Sequence, residues 1–326
     1  MGSGAVRAVW LKEFGKPDLL RVEDTPPPVP AAGQVLIAVE FANITWIETM
    51  FRATGFGPFP PPPMIPGNGV GGVVTAAGSA AEEHLVGKRV VTGTGGSGGC
   101  AELVAVDATQ LIEVPPTVPM DDAVALLSDG RTALMIIAAA EVRAGDRILI
   151  EAAAGGVGSL LVQLAEAAGA RVVALAGGPR KMALARELGA AIAIDYREPD
   201  WAAAVRAACG EVDVVLDGVG GAVAEVAFDL LGRGGRMISF GFSSAAGWPD
   251  LSEEAIAERG IRVRRGVFGP PEEQTRRTTE ALALAAASRL RPVIGQRFPL
   301  DGAGEAHHTM ETRAAVGKTL LYTASS

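Results

Sequence analysis

The segment with the most chemistry in it reads Ala153-Ala154-Gly155-Gly156-Val157-Gly158. It follows an apolar run at 148–150 and opens an alanine-rich stretch with helical character; a second apolar run covers 171–176. A strand, a glycine turn, a helix and a second strand would set several backbone N–H groups at a helix N-terminus. There the amides and the helix dipole can hold a pyrophosphate. Glycine by itself is weak support, because 42 of the 326 residues are Gly. The strand before and the helix after make the pattern a dinucleotide loop. Ala153 stands where the usual G-x-G-x-x-G pattern has its first glycine. Gly155, Gly156, Val157 and Gly158 are the expected phosphate contacts; the plainer alternative is an ordinary strand–helix turn.

The tip of the second strand bears on which dinucleotide. Sites for NAD usually carry an Asp or Glu there for the ribose hydroxyls, whereas NADP sites omit the acid and supply cations for the 2′-phosphate. This stretch reads Ala176-Gly177-Gly178-Pro179-Arg180-Lys181, with no carboxylate. Gly178 leaves room for a phosphate, and Arg180 and Lys181 can neutralise it from the first turn of the next helix. The cofactor expected is therefore NADPH. The competing reading of Arg180 and Lys181 is a pair of solvated helix charges.

These groups need a scaffold, and 326 residues are enough for two domains with their own cores. A hydrophobic fraction of 48% and a charged fraction of 20% suit a compact soluble chain. The net charge of −8, with no long basic run, argues against nucleic acid as partner. Two cysteines, Cys100 and Cys209, are too few for a disulfide framework and fit a reducing cytoplasm. No apolar stretch has membrane-spanning character, and MGSGAVRAVW lacks the apolar core of a signal peptide.

Up to about residue 118 the chain shows short apolar runs split by Pro and Gly (35–39, 72–75, 89–92, 101–106), the spacing of a compact β domain. Proline runs at 26–28 and 60–63 read as extended loops. Residues 121–140 have helical spacing, interrupted by Ser128-Asp129-Gly130-Arg131-Thr132. After the glycine loop, strands at 192–194, 212–216 and 236–241 alternate with helices. That alternation means a parallel sheet covered on both faces. The tail adds a helix over 272–288, a strand near Phe298, a helix near Glu305 and a last strand at 319–322, as if returning to the first domain. The fold expected is α/β, a Rossmann doubly wound parallel sheet plus a mostly β domain, with boundaries at 1–122, 123–264 and 265–326.

Taken together, several motifs resemble the medium-chain dehydrogenase/reductase superfamily, in its zinc-free, ζ-crystallin-like quinone oxidoreductase branch. They are Asn43, Ile47-Glu48-Thr49, Arg52-Ala53, Pro66-Gly67-Asn68, Gly87-Lys88-Arg89-Val90 and Gly130-Arg131-Thr132-Ala133, then the glycine loop with Gln163-Leu164-Ala165. The segment 184–190, Asp195-Tyr196-Arg197 and Gly317-Lys318 complete the set. The resemblance covers nearly the whole chain. It implies a GroES-like catalytic domain, a Rossmann domain, an active cleft between them, and hydride transfer from NADPH to a quinone or enone. It also implies a homodimer paired through Rossmann sheet edges, with the 236–241 strand at or near the interface.

Carried over by position, Lys181 matches the lysine of the 2′-phosphate and Tyr196 a tyrosine near the adenosine phosphate. Thr132 lies where the nicotinamide ribose approaches, although a hydroxyl capping a helix start would look the same. Phe240 and Gly241 fall where the nicotinamide half rests, and Lys318 matches a lysine near the cofactor. Asn43 and Thr45 fall in the substrate-facing segment. With Thr132 they are the candidate donors to the oxyanion that hydride transfer creates; no side chain stands out as the proton donor.

Departures from the family narrow the chemistry. Zinc-dependent relatives carry a Cys in the first segment and a Gly-His-Glu after the glycine turn; here Thr45 and Gly67-Asn68-Gly69 stand in those places. His84, His307 and His308, the only histidines, do not form a ligand pattern, so no metal is expected. Gly69 also replaces a Glu that many zinc-free relatives keep. The substrate segment lacks tyrosine and offers Trp46, Met50, Phe51, Phe56 and Phe59, as an apolar pocket or as core. Pocket shape would depend on the loops at 51–63 and 267–271. Three functions stay open: an NADPH:quinone reductase, an enoyl or enone reductase, and a non-catalytic NADPH-binding protein of crystallin type.

Overall fold

The computed structural model describes residues 4–267 and 269–323. Met1–Ser3 of the N-terminal segment, Phe268 of the 267–271 loop and Ala324–Ser326 lie outside the described residues. The chain divides into two compact units, Met1–Ser128 with Thr278–Ser326, and Asp129–Arg277. Among the described residues no helix is long and apolar enough to cross a membrane.

The divisions differ from the expected joins at 122/123 and 264/265. They fall at 128/129 and 277/278, inside the helices Met120–Ala139 and Pro271–Ala286. Proline and glycine punctuate the ends of elements, but an unbroken helix that passes from one unit to the next leaves no such mark. The expected interruption at 128–132 is absent, and the helix Met120–Ala139 runs straight through Gly130. An interior glycine costs about 1 kcal/mol of helix propensity. Burial of Leu126 and Leu127 before it, and of Ala133 and Ile136 after it, outweighs that cost. Thr132 is consequently mid-helix, which removes the helix-start explanation of its hydroxyl.

The first unit is built on a seven-stranded sheet. Its strands run in the order Ile294–Pro299, Lys318–Tyr322, Gln34–Ile44, Gly69–Ala77, Arg89–Gly93, Ile112–Glu113, with Leu103–Asp107 also pairing Gln34–Ile44. The long strand Gln34–Ile44 starts with alternate burial of Val35, Ile37 and Val39, then buries Ala42, Asn43 and Ile44 in succession. The change follows from its neighbours. Asn43 lies opposite Leu320, and Ala42 opposite both Leu321 and Val70, so the strand end is flanked on both sides. The C-terminal strand thus joins the N-terminal sheet, as the pattern of the tail suggests.

The second unit is a six-stranded, all-parallel sheet. Its order is Ile192–Ile194, Arg171–Leu175, Arg147–Ile150, Val212–Asp217, Leu231–Ser239, Arg262–Arg265. Numbered by position in the chain, that is 3-2-1-4-5-6, the doubly wound order, and the chain reverses direction of growth between Arg147–Ile150 and Val212–Asp217. Ligands of such sheets bind outside the carboxyl ends of the strands at that switch point. The expected α/β class with a Rossmann sheet is therefore what the chain adopts. The strand expected over 236–241 starts earlier and ends at Ser239, as Leu231–Ser239, and lies next to the edge strand Arg262–Arg265. Three of that edge strand's four residues are arginine, so it carries no apolar signal.

Candidate active site

In the second unit the strand Arg147–Ile150 runs into Glu151, a turn, and the helix Gly156–Ala167, whose N-cap is Gly155. No side chain caps that helix, so its first-turn amides, from Gly156 to Gly158, are left for another acceptor. Ala152 holds a left-handed φ of 47° and its carbonyl accepts from the Gly155 N–H at 2.8 Å. A non-glycine residue there costs on the order of 1 kcal/mol. Gly158 is demanded by close approach, because a Cβ at that position would lie 2.2 Å from the Ala152 carbonyl oxygen. Helix and strand are thus held as tightly as a pyrophosphate cradle requires.

Two carboxylates lie at the switch point, and both are fully buried: Glu151 after the first strand and Asp217 at the end of the fourth. Asp217 Oδ1 accepts the N–H groups of Val219 (3.0 Å) and Gly220 (2.8 Å), and Glu151 Oε2 accepts Val219 N–H at 3.1 Å. Burial pushes the Glu151 carboxyl well above the usual carboxylate range, and the charge of Asp217 and a hydrogen bond to it push the same way. Glu151 Oε1 and Asp217 Oδ2 have no N–H or hydroxyl partner. A protonated Glu151, the form its raised value favours, can donate the hydrogen bond between the two. Beside them Phe240 N–H donates to the Asp217 carbonyl at 2.8 Å, and the Phe240 ring covers Gly218, where a Cβ would meet it at 2.7 Å. Gly241 follows, packed on the Gly218 carbonyl.

At the other end of the same sheet edge, Gly178 caps the helix Pro179–Glu187 with a φ of 91°. Arg180 is exposed and Lys181 half-buried in that helix's first turn. The neighbouring strand Ile192–Ile194 delivers Asp195, Tyr196 and Arg197 to this point. Asp195 Oδ2 accepts Gly178 N–H at 2.9 Å, and Tyr196 OH stands 3.5 Å from where a Gly177 Cβ would be. So a carboxylate does reach the strand tip, although the local sequence 176–181 has none. Its oxygens are already engaged. Arg197 donates from Nε to Oδ1 at 2.9 Å and from Nη2 to Oδ2 at 2.6 Å, and its backbone N–H adds a bond at 3.1 Å. The Arg197 hydrogen bonds hold Asp195 ionised down to about 2.

The first unit gathers its polar groups around Glu48, in the helix Trp46–Thr54. Glu48 is buried and accepts three hydrogen bonds: Thr45 N–H (2.8 Å), Thr45 hydroxyl (2.6 Å) and Asn68 N–H (2.9 Å). Burial raises its carboxyl above the ordinary value, and the Thr45 bonds, the Lys318 charge and the Asn68 N–H pull it back. Lys318 is itself only 4% exposed. Asn43 Nδ2 donates to Ser128 Oγ at 3.1 Å, which leaves its Oδ1 buried without a partner. Cys100 is buried and its thiol pushed well up, by burial first and by Glu48 second, so it is no nucleophile.

Comparison with known proteins converges on one family. Residues 31–116 match the family model of the alcohol dehydrogenase GroES-like domain, and residues 156–287 that of the zinc-binding dehydrogenases. A probable quinone oxidoreductase of Schizosaccharomyces pombe is 34% identical over 96% of both chains. The chain belongs to the quinone oxidoreductase branch of the medium-chain dehydrogenase/reductase superfamily. Among solved structures, an Escherichia coli quinone oxidoreductase complexed with NADPH is 27% identical, with a TM-score of 0.86 over 97% of this chain and 99% of that one. An NAD-dependent alcohol dehydrogenase is 28% identical, with a TM-score of 0.88 over 98% and 100%. The fold is thus common to both nicotinamide cofactors, and the choice rests on local residues.

In this oxidoreductase the predicted residues fall into distinct groups. Gly155, Gly156, Val157 and Gly158 form one loop, and Gly178, Arg180, Lys181 and Tyr196 cluster at the strand tip. Phe240 and Gly241 sit at the switch point. Thr132 is half-buried in its helix and, among the described residues, has no hydrogen bond to these groups. Thr45 and Lys318 both face Glu48, while Asn43 faces Ser128 and Gly69. Thr45 is not an unengaged oxyanion donor, since its hydroxyl proton goes to Glu48. Three groups to which sequence reasoning assigned no site role are Glu48, the Glu151–Asp217 pair and Asp195 with Arg197. Glu48 had one usable signal, an acid three residues after a Thr at a helix start, which is a capping box. Of the aromatic segment, Phe51 is buried core, with Phe59 packed on it edge-to-face at 5.2 Å, while Phe56 is 56% exposed.

The family description includes zinc binding, yet the donor set is poor. Among the described residues no cluster of three or more His, Cys, Asp or Glu is placed to hold a metal ion. His84 and His308 are exposed, and His307 is driven down to about 3 by burial and then by Arg52. At Gly69, a Cβ would lie 2.7 Å from Leu127 Cδ2 and 3.0 Å from Asn43 Nδ2. The room for the relatives' Glu is therefore filled. Restoring it, as Gly69→Glu, is expected to cost about 2 kcal/mol or more through overpacking of a closed site. Urea unfolding of the variant measures this; a midpoint equal to that of the parent would contradict it.

Proposed function

We propose that this oxidoreductase carries out zinc-independent hydride transfer from NADPH to a quinone. The observation that carries the cofactor half is the strand tip: Gly177 and Gly178 give room, Lys181 and Arg180 give positive charge, and Asp195, the carboxylate that reaches it, has its oxygens taken by Arg197 and Gly178. A ribose 2′-hydroxyl needs an acceptor that Asp195 no longer offers, whereas a 2′-phosphate needs the donors and cations present. The Gly155–Gly158 amides would hold the pyrophosphate, with Phe240 and Gly241 against the nicotinamide half and Tyr196 near the adenosine end. When bound, NADPH supplies the hydride, and the chain's task is to position it and exclude water.

The acceptor half of the reading is supported by the quinone oxidoreductase relatives and by the apolar Trp46, Met50 and Phe56 in the substrate segment. Asn43 and Thr132 remain the proposed donors to the developing phenolate or enolate oxygen. Thr45 joins them only when a protonated Glu48 takes over as donor in their mutual bond, which releases the Thr45 proton. Reduction of an α,β-unsaturated ketone uses the same hydride and the same oxyanion donors. The lack of tyrosine in the substrate segment favours that as the second reading. The zinc-free part rests on Thr45 and Gly67-Asn68-Gly69 at the relatives' ligand positions. Two cysteines held as free thiols support a reducing cytoplasm, and the open Arg262–Arg265 edge is where a second copy would pair.

An NADPH-oxidation screen with quinones beside enones and enoyl thioesters tests the substrate assignment; turnover of neither class would defeat it. Metal analysis of chelator-free protein should find zinc well below one ion per chain, and stoichiometric zinc would defeat the zinc-free part. Lys181→Ala should weaken NADPH binding by roughly tenfold, the worth of one charge-assisted phosphate contact, with little change for NADH. Fluorescence titration with both cofactors reads this directly, and equal losses would remove Lys181 from the phosphate site.

A further inference from the structure

We propose that Arg197, carried on Asp195, is a specificity-determining cation for the 2′-phosphate of the cofactor. The inference rests on the NADPH reading above and adds a residue from a different strand. The guanidinium of Arg197 lies directly over the glycine turn. A Cβ on Gly178 would stand 2.8 Å from Arg197 Nη2 and 3.3 Å from its Cζ, and one on Gly177 would stand 3.5 Å from its Cδ. The two glycines therefore make room for two things at once, an incoming phosphate and this side chain.

What places the guanidinium is Asp195. It holds Arg197 by a fork of Nε and Nη2 bonds while its Oδ2 also takes the N–H of Gly178. One carboxylate thus pins the arginine to the turn that caps the helix Pro179–Glu187. An arginine has five N–H donors, and this fork uses the Nε–H and part of Nη2. The remaining donors belong to a side chain that is 59% exposed. The helix N-terminus, Tyr196 and the Arg197 fork then meet at Gly177 and Gly178. Arg180, by contrast, is exposed in the first turn of that helix.

The arrangement also explains how a carboxylate is tolerated beside a phosphate site. Asp195 alone would repel the 2′-phosphate. Paired with Arg197 it contributes no net charge, and it fixes a planar donor in register with the turn, which suits a phosphate better than a lysine does. A loop staple is the competing role for an Asp–Arg pair two residues apart. The two roles predict different ligand selectivity, because a staple would support any adenosine ligand equally.

The test is calorimetric titration of the full chain with two probes, adenosine 2′,5′-bisphosphate and adenosine 5′-monophosphate. The parent protein should prefer the bisphosphate; no preference would defeat the NADPH reading itself. Arg197→Ala should weaken the bisphosphate by roughly tenfold, the low end for a charge-assisted bond at an exposed site, and leave the monophosphate nearly unchanged. Arg197→Lys should recover only part of the loss. If Arg197→Ala keeps the parent's preference, or weakens both probes alike, the assignment of Arg197 is overturned while the NADPH reading stands.

Discussion

Glu151→Ala is expected to destabilise this oxidoreductase by about 3 kcal/mol, and Glu151→Gln to leave it as stable as the parent near neutral pH and more stable above it. The alanine variant leaves a cavity and strips the buried Asp217 of its hydrogen-bond partner, two effects of comparable size. Glutamine keeps an oxygen for the Val219 N–H and offers an amide N–H to Asp217. The sign of the pH effect follows from the direction of the shift. Glu151 is held well above its ordinary value by burial and then by Asp217. Its folded state therefore binds the proton more tightly than the unfolded chain does. The stability it contributes is complete below the ordinary carboxylate range and is lost as pH rises through the raised folded value. The parent's melting temperature should fall across that alkaline limb, and the fall should be shallower in Glu151→Gln. Melting curves from pH 5 to 9 decide it; parallel profiles for parent and Gln variant would show that Glu151 holds no such proton.

Gly158→Ala should weaken NADPH binding by about 100-fold, the worth of one or two backbone hydrogen bonds to a charged phosphate. The added methyl would meet the Ala152 carbonyl oxygen at 2.2 Å. That oxygen is backbone, in a turn already held at a positive φ, so the helix Gly156–Ala167 must move and take its first-turn amides with it. Gly155→Ala is the internal control. Its φ is −83° and its Cβ would sit 3.2 Å from the same oxygen, so a much smaller loss is expected. Fluorescence titration with NADPH compares the two; equal affinities would mean that the amides of this loop do not hold the pyrophosphate.

Much of the second unit was legible because its signals are local. A strand, a glycine turn and a helix occupy consecutive residues, and their order alone implies the parallel sheet. The first unit was legible as β, but not the helix Trp46–Thr54 or the role of its Glu48, since the apolar residues there do not separate pocket from core. Phe51 went to the core and Phe56 to the surface by packing, which no spacing rule distinguishes. The break expected at Gly130 failed because tertiary burial on both sides of the glycine exceeds its helix penalty. The edge strand Arg262–Arg265 was invisible for the opposite reason, as three arginines hide a strand whose backbone pairing supplies its stability.

The sequence by itself determined the dinucleotide loop, the alternation that makes a doubly wound sheet, the cationic strand tip and the family, because each depends on neighbours within about one supersecondary unit. Only the tertiary structure decided which distant residues meet. It brought Asp195 and Arg197 from the next strand to Gly178, and it set Glu151 beside Asp217 across the switch point. It also filled the space at Gly69 with Leu127 and Asn43. The physical reason is common to the first two. In a parallel sheet, adjacent strands come from separate stretches of chain, and their carboxyl ends converge on one line. A charge that looks absent or unremarkable in one segment is then supplied, or neutralised, by another.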